Sequence, residues 1–158
     1  MKYKEYTLRV LTKPEAMYTT YECAKLLNPI LSYEDYKITI DQCVKSVNYR
    51  QVAMFVDEVP VSFIGIHDTL LMKYAPKKSL NLSNIATLPE HRGQVTKVLL
   101  RYIEALAKQE GYGNIDIRSN KQNDLATACY TKAGYHNEES FAWRKYVDKE
   151  RTTARAKL

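Results

Sequence analysis

One predicted strand of this chain is out of phase with itself, and this limits the possible folds more than any other feature. Leu80 and Leu82 alternate as they would on one face of a strand, but the apolar set resumes at Ile85 rather than at Asn84. One extra residue near Ser83 and Asn84, a β-bulge, produces such a slip because the side-chain period of a strand is two. The segment therefore predicts a sheet that contains a bulged strand.

A long amphipathic helix follows this strand. Pro89 ends the strand, Arg92-Gly93 opens the helix and Gly111 is its stop. The apolar residues of the helix recur at helical spacing: Val95, Val98, Leu99, Tyr102, Ile103 and Leu106. A turn between a strand and a helix binds anions, because unpaired amides and the helix dipole both face the ligand. We expect a pyrophosphate there.

The rest of the chain alternates strands with helices. The other predicted strands cover residues 6–10, 51–56, 59–70, 115–117 and a closing region at 135–146. The other predicted helices begin at Pro14, after the N-cap Ser32, and at Asn123 or Asp124. This alternation predicts an α/β (α+β) fold, one domain around one sheet. We expect the domain at residues 1–147 and a basic, frayed tail at 148–158.

Composition narrows the class of partner. The 158 residues include 24 Lys and Arg against 18 Asp and Glu, and the resulting charge of +6 favours anionic partners. Nucleic acid is a weaker expectation, because a basic tail more simply serves solubility. The cysteines Cys23, Cys43 and Cys129 are odd in number, far apart and without zinc-site spacing, which predicts a reducing compartment and no metal. With neither a signal peptide nor a membrane-spanning apolar run, we expect a cytoplasmic protein.

Two motifs in register resemble a known family. Residues 88–94, Leu-Pro-Glu-His-Arg-Gly-Gln, followed by Val98-Leu99-Leu100, resemble the acyl-CoA-binding motif of the GNAT superfamily of N-acetyltransferases. The family's second signature resembles a spaced set downstream: Asn123, Ala126, Tyr130, Lys132, Gly134 and Tyr135. More weakly, residues 49–53 and 61–65 resemble the two strands before the acyl site.

The resemblance implies a mixed, mostly antiparallel sheet in which two neighbouring strands splay apart around acetyl-CoA, the co-substrate. It assigns the pyrophosphate to Arg92 and to the turn amides of Gly93, Gln94, Val95, Thr96 and Lys97. It assigns the pantetheine arm and the thioester carbonyl to the strand amides of Ile85, Ala86, Thr87 and Leu88. Tyr130 then protonates the departing thiolate, and Asn123 contacts the cofactor or orients its helix.

The turn and the bulge depart from the family pattern. The family's turn reads R/Q-x-x-G-x-G/A, whereas Val95 and Lys97 occupy the small positions here. Either two glycines have been replaced, or one residue is missing and Thr96 takes the last small position. Val95 should then crowd the phosphate unless the turn is reshaped. Many relatives carry an acidic base on the bulged strand, but Ser83 and Asn84 cannot serve, so a water chain or an already neutral amine must do so.

Several residues have a functional and a structural interpretation. Tyr130 could be a core aromatic instead of an acid, and Arg92 a solvated arginine. His67 could be a base or metal ligand, although a hydrogen-bonded core histidine is the simpler interpretation, while His91 and His136 are expected at the surface. The cysteines are expected to be buried apolar groups. Finally, Lys73, Lys77 and Lys78 line either an anionic acceptor site or a solvated loop.

The resemblance implies an N-acetyltransferase that moves an acetyl group from acetyl-CoA to a primary amine, and a small-molecule acceptor is the first expectation. One alternative is a catalytically degenerate binding or regulatory module. Another is an enzyme that acts on protein lysines or aminoacyl-tRNA, which the net charge of +6 favours. A homodimer is compatible with the family, and neither a membrane nor, in the first expectation, a nucleic acid is a partner.

Overall fold

The computed structural model describes residues 5–118, 124–137 and 145, and the statements below concern these residues. Asn123, most of the predicted closing strand at 135–146 and the tail at 148–158 lie outside them, so the predicted domain boundary stays a prediction. No helix in the described part of the chain is long and apolar enough to cross a membrane.

The described residues form one five-stranded sheet in the order β1-β2-β3-β4-β5. The strands are β1 (Tyr6–Leu11), β2 (Arg50–Val56), β3 (Val59–Thr69), β4 (Ser79–Thr87) and β5 (Asn114–Ile117). The first three pairings are antiparallel and β4 pairs with β5 in parallel. The helices are α1 (Pro14–Tyr18), α2 (Tyr21–Ala24), α3 (Tyr33–Val47), α4 (Gln94–Gln109) and α5 (Asp124–Lys132). The predicted mixed, mostly antiparallel α/β fold is confirmed.

The two faces of the sheet carry two apolar clusters. Helix α4 packs on one face, where Leu99 and Ile103 are buried against Leu80 and Ile64. Helices α1, α2 and α3 pack on the other face around Met17 and Phe63. Burying one Leu or Phe side chain contributes roughly 1.5–3 kcal/mol, so both faces hold the sheet in place. The predicted burial of β3 on both faces is confirmed.

Three details of the predicted helices are wrong. The single helix expected to begin at Pro14 is two short helices, α1 and α2, and Thr20 lies between them with its hydroxyl 2.9 Å from the Met17 carbonyl oxygen. On α4, Val98 and Tyr102 are exposed and Leu100 is buried instead. On α5, Leu125 is 86% exposed. In each case packing against the sheet selects a narrower stripe than periodicity alone suggests.

Candidate functional site

The predicted bulge lies in the second part of β4. Gly65 pairs with Ser83 and Phe63 pairs with Ala86, so two steps along β3 correspond to three along β4. Asn84 has a φ of 54°, a left-handed conformation that asparagine tolerates better than most residues. The bulge breaks the alternation of β4 at the position where the apolar pattern slips, and the prediction is confirmed.

Strands β4 and β5 part directly before the bulge. They pair only over residues 79–82 of β4, where Leu82 faces Ile117 at the end of β5. Among the described residues, the 83–87 segment has a strand partner on the β3 side alone. This open edge carries Ile85, Ala86 and Thr87. Leu88 follows, but its N–H already donates to the Val61 carbonyl at 2.9 Å and is not available to a ligand.

A tight turn connects the open edge of β4 to α4. Residues Pro89–His91 form one turn of 3₁₀ helix, and Gly93, with a φ of 97°, is the residue that precedes α4. Gly93 supplies no side-chain cap, and the first turn of α4 contains no acidic residue. The leading amides of Gln94 and its neighbours thus keep their affinity for an anion.

The side chains of this turn divide between solvent and core. Arg92 is exposed and its Nε donates to the Thr87 carbonyl at 3.4 Å, while Gln94 and Lys97 are also exposed. Val95 is only 4% exposed and packs in the core beneath α4. The expected crowding of a phosphate by Val95 is therefore wrong, because its side chain points into the core. The Thr96 hydroxyl lies 3.2 Å from the Thr87 hydroxyl, which ties the start of α4 to the end of β4.

His91 connects this turn to the first strand of the sheet. It was expected at the surface, but it is 7% exposed, and its Nδ1 lies 2.9 Å from the Tyr6 hydroxyl. The two rings also meet edge to face. The hydrogen bond joins the turn to the first strand, 85 positions earlier in the chain. His136 is exposed, as expected.

Tyr130 lies on α5 and is partly buried. It packs against the same core as Ile85 and Leu88, the residues of the open edge and its end. Its ring meets Tyr135 edge to face at 6.3 Å. Burial raises the pKa of Tyr130, which keeps its phenol protonated at neutral pH. Burial raises the pKa of Tyr135 to about 12.

A buried polar network reaches the bulge from the opposite face of the sheet. The Thr20 hydroxyl donates to Gln51 Oε1 at 2.8 Å and lies 2.6 Å from the Tyr36 hydroxyl. Gln51 Nε2 donates to the Tyr49 hydroxyl at 3.4 Å, and so does Asn84 Nδ2. The sequence patterns did not predict this network. The signal for it was Gln51, a polar residue inside an otherwise apolar strand.

The remaining candidate residues differ in their contacts and burial. Of the three loop lysines, Lys78 pairs with Asp68 at 2.9 Å, Lys77 is exposed and Lys73 stacks on Tyr74. Cys23 is buried as expected, and burial raises the pKa of its thiol to about 11. Cys43 and Cys129 are only partly buried, so the expectation is wrong for these two. The described residues contain no group of three or more His, Cys, Asp or Glu side chains that could hold a metal ion.

Comparison with known proteins identifies relatives of this arrangement. Residues 15–135 match the model of the acetyltransferase (GNAT) family. No curated protein sequence matches the chain significantly. Among solved structures, an aminoglycoside N-acetyltransferase AAC(6')-Iy in complex with CoA is 13% identical, with a TM-score of 0.77 over 93% of this chain and 98% of that chain.

Two further solved structures share the fold. Glucosamine-6-phosphate N-acetyltransferase from Arabidopsis thaliana is 14% identical, with a TM-score of 0.71 over 92% of this chain and 100% of that chain. Ribosomal-protein-alanine N-acetyltransferase from Brucella melitensis is 12% identical, with a TM-score of 0.73 over 90% of this chain and 99% of that chain. At such identities these structures establish the fold and leave the acceptor open.

Proposed function

The chain belongs to the acetyltransferase (GNAT) family, and we propose that it transfers an acetyl group from acetyl-CoA to a primary amine of a small molecule. The observation that carries the proposal is the open edge of β4. A bulged strand segment without a β5 partner among the described residues leads directly into a helix start that lacks an acidic side chain. Strand amides and helix amides thus lie along one segment of the chain, residues 85–97.

Residues 85–97 suit the donor, acetyl-CoA. The amides from Gly93 to Lys97 and the Arg92 guanidinium suit a pyrophosphate, because they combine backbone N–H groups, the positive end of α4 and a full charge. The amides of Ile85 to Thr87 suit an extended pantetheine arm and the thioester carbonyl. A preorganised strand amide stabilises the oxyanion that forms when the amine attacks that carbonyl.

Tyr130 is the proposed general acid. It must be protonated to donate to the departing thiolate, and burial raises its pKa above the ordinary phenol value of about 10. The phenol is then fully protonated at neutral pH and can give its proton to a thiolate whose thiol has a pKa of about 8.5. Asn123, which lies outside the described residues, remains proposed to contact the cofactor or orient α5.

A small amine is the proposed acceptor because fold relatives act on aminoglycosides and glucosamine 6-phosphate. A protein acceptor is the second candidate, since a ribosomal-protein-alanine acetyltransferase shares the fold. We place the reaction in a reducing compartment such as the cytoplasm, since Cys23, Cys43 and Cys129 are all free thiols.

Calorimetric titration with acetyl-CoA tests the donor site. We expect micromolar binding, about −8 kcal/mol, to weaken in Arg92→Ala and to survive in Tyr130→Phe. Release of free CoA thiol in the presence of an amine panel should then be slow in Tyr130→Phe even at saturating acetyl-CoA. Absence of binding at millimolar acetyl-CoA would contradict the enzyme and favour a degenerate module that has lost its co-substrate.

A further inference from the structure

Three strands place three polar side chains in one row. His67 on β3 pairs with Asn81 on β4, and Asn81 pairs with Asp116 on β5. Directly paired residues of neighbouring strands project from the same face of a sheet, so the row crosses β3, β4 and β5 on one face. We call these three residues the polar row. All three are partly exposed, and a ligand can therefore reach them.

The polar row lies close to the bulge and on the far side of it from the helix-start turn. Ser83, the last regular residue before the bulge, is two positions after Asn81, which is about 7 Å along a strand. The turn at Gly93 lies beyond the other end of the bulge. A donor held by the turn and an acceptor held by the row would meet at the bulge.

The flanking side chains orient the row. Asn81 Nδ2 donates to the Thr69 hydroxyl, and Asn114 Nδ2 donates to Asp116 Oδ1 at 2.9 Å. Asn114 is itself held by the Ser79 hydroxyl, which donates to its Oδ1 at 2.7 Å. A carboxylate beside amide oxygens suits a positively charged ammonium, which has three N–H donors and no acceptor.

His67 is the residue of the polar row whose ring can accept a proton. Its Nδ1 is buried and has no hydrogen-bond partner among the described residues. Burial lowers the pKa of His67, with Asp68 acting in the opposite direction and Arg118 in the same direction. Its imidazole is therefore neutral at neutral pH and can accept a proton.

Other titratable groups face the same side of the sheet. Asp116 completes the row, and Tyr49 covers Gly65, which is two positions from His67 on β3. Cys43 of α3 packs in the same cluster as Tyr49. Burial raises the pKa of both Tyr49 and Cys43, which leaves them protonated in the range where His67 titrates.

We propose that the polar row binds the acceptor amine of the transfer reaction and that His67 takes the proton from its ammonium group. The inference rests on the proposed acetyl transfer and supplies the base that Ser83 and Asn84 cannot provide. One proton of the ammonium moves to the His67 imidazole, and the neutral nitrogen attacks the thioester carbonyl. As the C–N bond forms and the C–S bond breaks, Tyr130 gives its phenolic proton to the thiolate. The second nitrogen proton passes to the resulting phenolate, so that the amide, the free thiol and a protonated His67 remain.

The binding half of the proposal is tested without turnover. Ethanolamine is the probe, added in the millimolar range to the protein saturated with CoA, and the His67 ring and Asn81 side-chain amide are followed by NMR. We expect both signals to shift, and the His136 ring to stay unchanged. Shifts in Asp116→Asn should require several-fold more ethanolamine. No shift of His67 or Asn81 overturns the proposed row, whether or not the protein proves to be an acetyltransferase.

The proton-transfer half is tested with two amines of similar size. Ethanolamine is mostly protonated at neutral pH, whereas trifluoroethylamine is mostly neutral and needs no base. General base catalysis contributes about 100-fold or more, so His67→Gln should slow thiol release with ethanolamine by about 100-fold and with trifluoroethylamine far less. With ethanolamine, the wild-type rate should level off above the pKa of His67, whereas the rate of this variant should keep rising with pH as free amine accumulates.

The matched control is His136→Gln, an exposed histidine outside the site, which should leave both rates unchanged. Equal slowing of both amines by His67→Gln would show a structural role and overturn the proton transfer, as would unchanged rates. A wild-type protein that binds acetyl-CoA but releases no thiol with any amine would contradict the proposed function, while the NMR shifts still decide the row.

Discussion

Strand β4 consists of two parts that differ in almost every respect. Its first part, residues 79–82, pairs with β3 on one side and β5 on the other, and Leu80 and Leu82 are buried beneath α4. Its second part, residues 83–87, pairs with β3, contains the bulge at Asn84 and has no β5 partner in the described part of the chain. The same strand thus provides a doubly paired support and an open edge.

The surroundings of the two parts follow the same division. Beside the first part, Arg50 binds Glu110 through two hydrogen bonds of 2.9 and 2.8 Å, and Asp68 accepts from Lys78 and Tyr112. Beside the second part, polar contacts come from buried neutral groups such as Tyr49 and Ser62 and from the Arg92 guanidinium. We therefore expect the doubly paired part to contribute more to the free energy of unfolding. The bulged part is then free to depart from regular geometry.

Truncation of a core side chain should show the largest difference between the two parts. Leu80 is fully buried, so Leu80→Ala should lower the free energy of unfolding by about 3 kcal/mol through lost burial and a residual cavity. Ile85→Ala, on the open edge and partly buried, should cost about 1 kcal/mol. Urea unfolding measures both. Equal losses would show that the two parts contribute alike.

A methyl group opposite the bulge should have the next largest effect. A Cβ added at Gly65 would lie 2.3 Å from the Tyr49 hydroxyl, and Tyr49 is buried and cannot move aside. Gly65→Ala should therefore cost about 2 kcal/mol by overpacking and lower kcat more than it changes KM for acetyl-CoA. At Gly113 the nearest atom is the Lys77 Cβ at 3.1 Å, in an exposed loop. The matched Gly113→Ala variant should stay within about 1 kcal/mol of the wild type and keep its kcat; similar losses in both would refute the argument.

Two glycines at the ends of α4 allow the cost of backbone strain to be measured separately from a loss of acetyl-CoA affinity. Gly93 has a φ of 97° and Gly111 a φ of 78°, and neither has an atom within 4 Å of an added Cβ. Gly93→Ala should cost about 1–3 kcal/mol, because its φ of 97° and ψ of −92° lie outside the left-handed helical region. Gly111→Ala should cost about 1 kcal/mol by backbone strain. Acetyl-CoA affinity, measured by calorimetry, should fall several-fold in Gly93→Ala and stay unchanged in Gly111→Ala. Unchanged affinity in both would remove the turn from the binding site.

The smallest effect concerns pH and the ion pairs beside the first part of β4. Burial alone would raise the pKa of Asp68, but hydrogen bonds from Tyr112, Lys78 and Asn48 outweigh it, so the pKa lies below its ordinary value. Such a carboxylate stabilises the fold above its unfolded pKa of about 3.9, and this contribution disappears as the pH falls through the folded pKa.

Asp68→Asn should accordingly cost at most about 1 kcal/mol at pH 7, because Lys78 is half exposed. The difference from the wild type should shrink toward zero when urea unfolding is repeated at a pH below the folded pKa. A difference that stays constant with pH would mean that packing, not charge, explains the loss.

Local features of this fold could be predicted because each depends on neighbours in the sequence. The slip between Leu82 and Ile85 indicated the bulge, and Ser32 indicated the start of α3, where its hydroxyl accepts from the Asp35 N–H at 3.0 Å. The order of strand, turn and helix indicated that a helix begins directly after Gly93. Each signal lies within about ten residues of the feature that it predicts.

Features made by distant residues could not be predicted. His91 is buried because Tyr6, at the other end of the sheet, supplies both a hydroxyl and a ring face. Gln51 is fully buried because two residues far along the chain satisfy its side chain: Thr20, between α1 and α2, and Tyr36, on α3. The burial of Val95, by contrast, follows from its place in the apolar stripe of α4, which the comparison with the family's turn left out of account. In the candidate site, therefore, sequence predicted the backbone better than the side chains that support it.

The open edge of β4 also affects how the folded protein meets other polypeptides. An unpaired strand at the rim of a sheet invites pairing with a second chain, and aggregation can follow. Here the side of residues 83–87 that faces away from β3 has no strand partner in the described part of the chain, and Ile85 packs against the core that contains Val95. An extended ligand that hydrogen-bonds to this edge would also occupy the position that a second strand needs. The proposed co-substrate would thus protect the fold from association as well as supply the acetyl group.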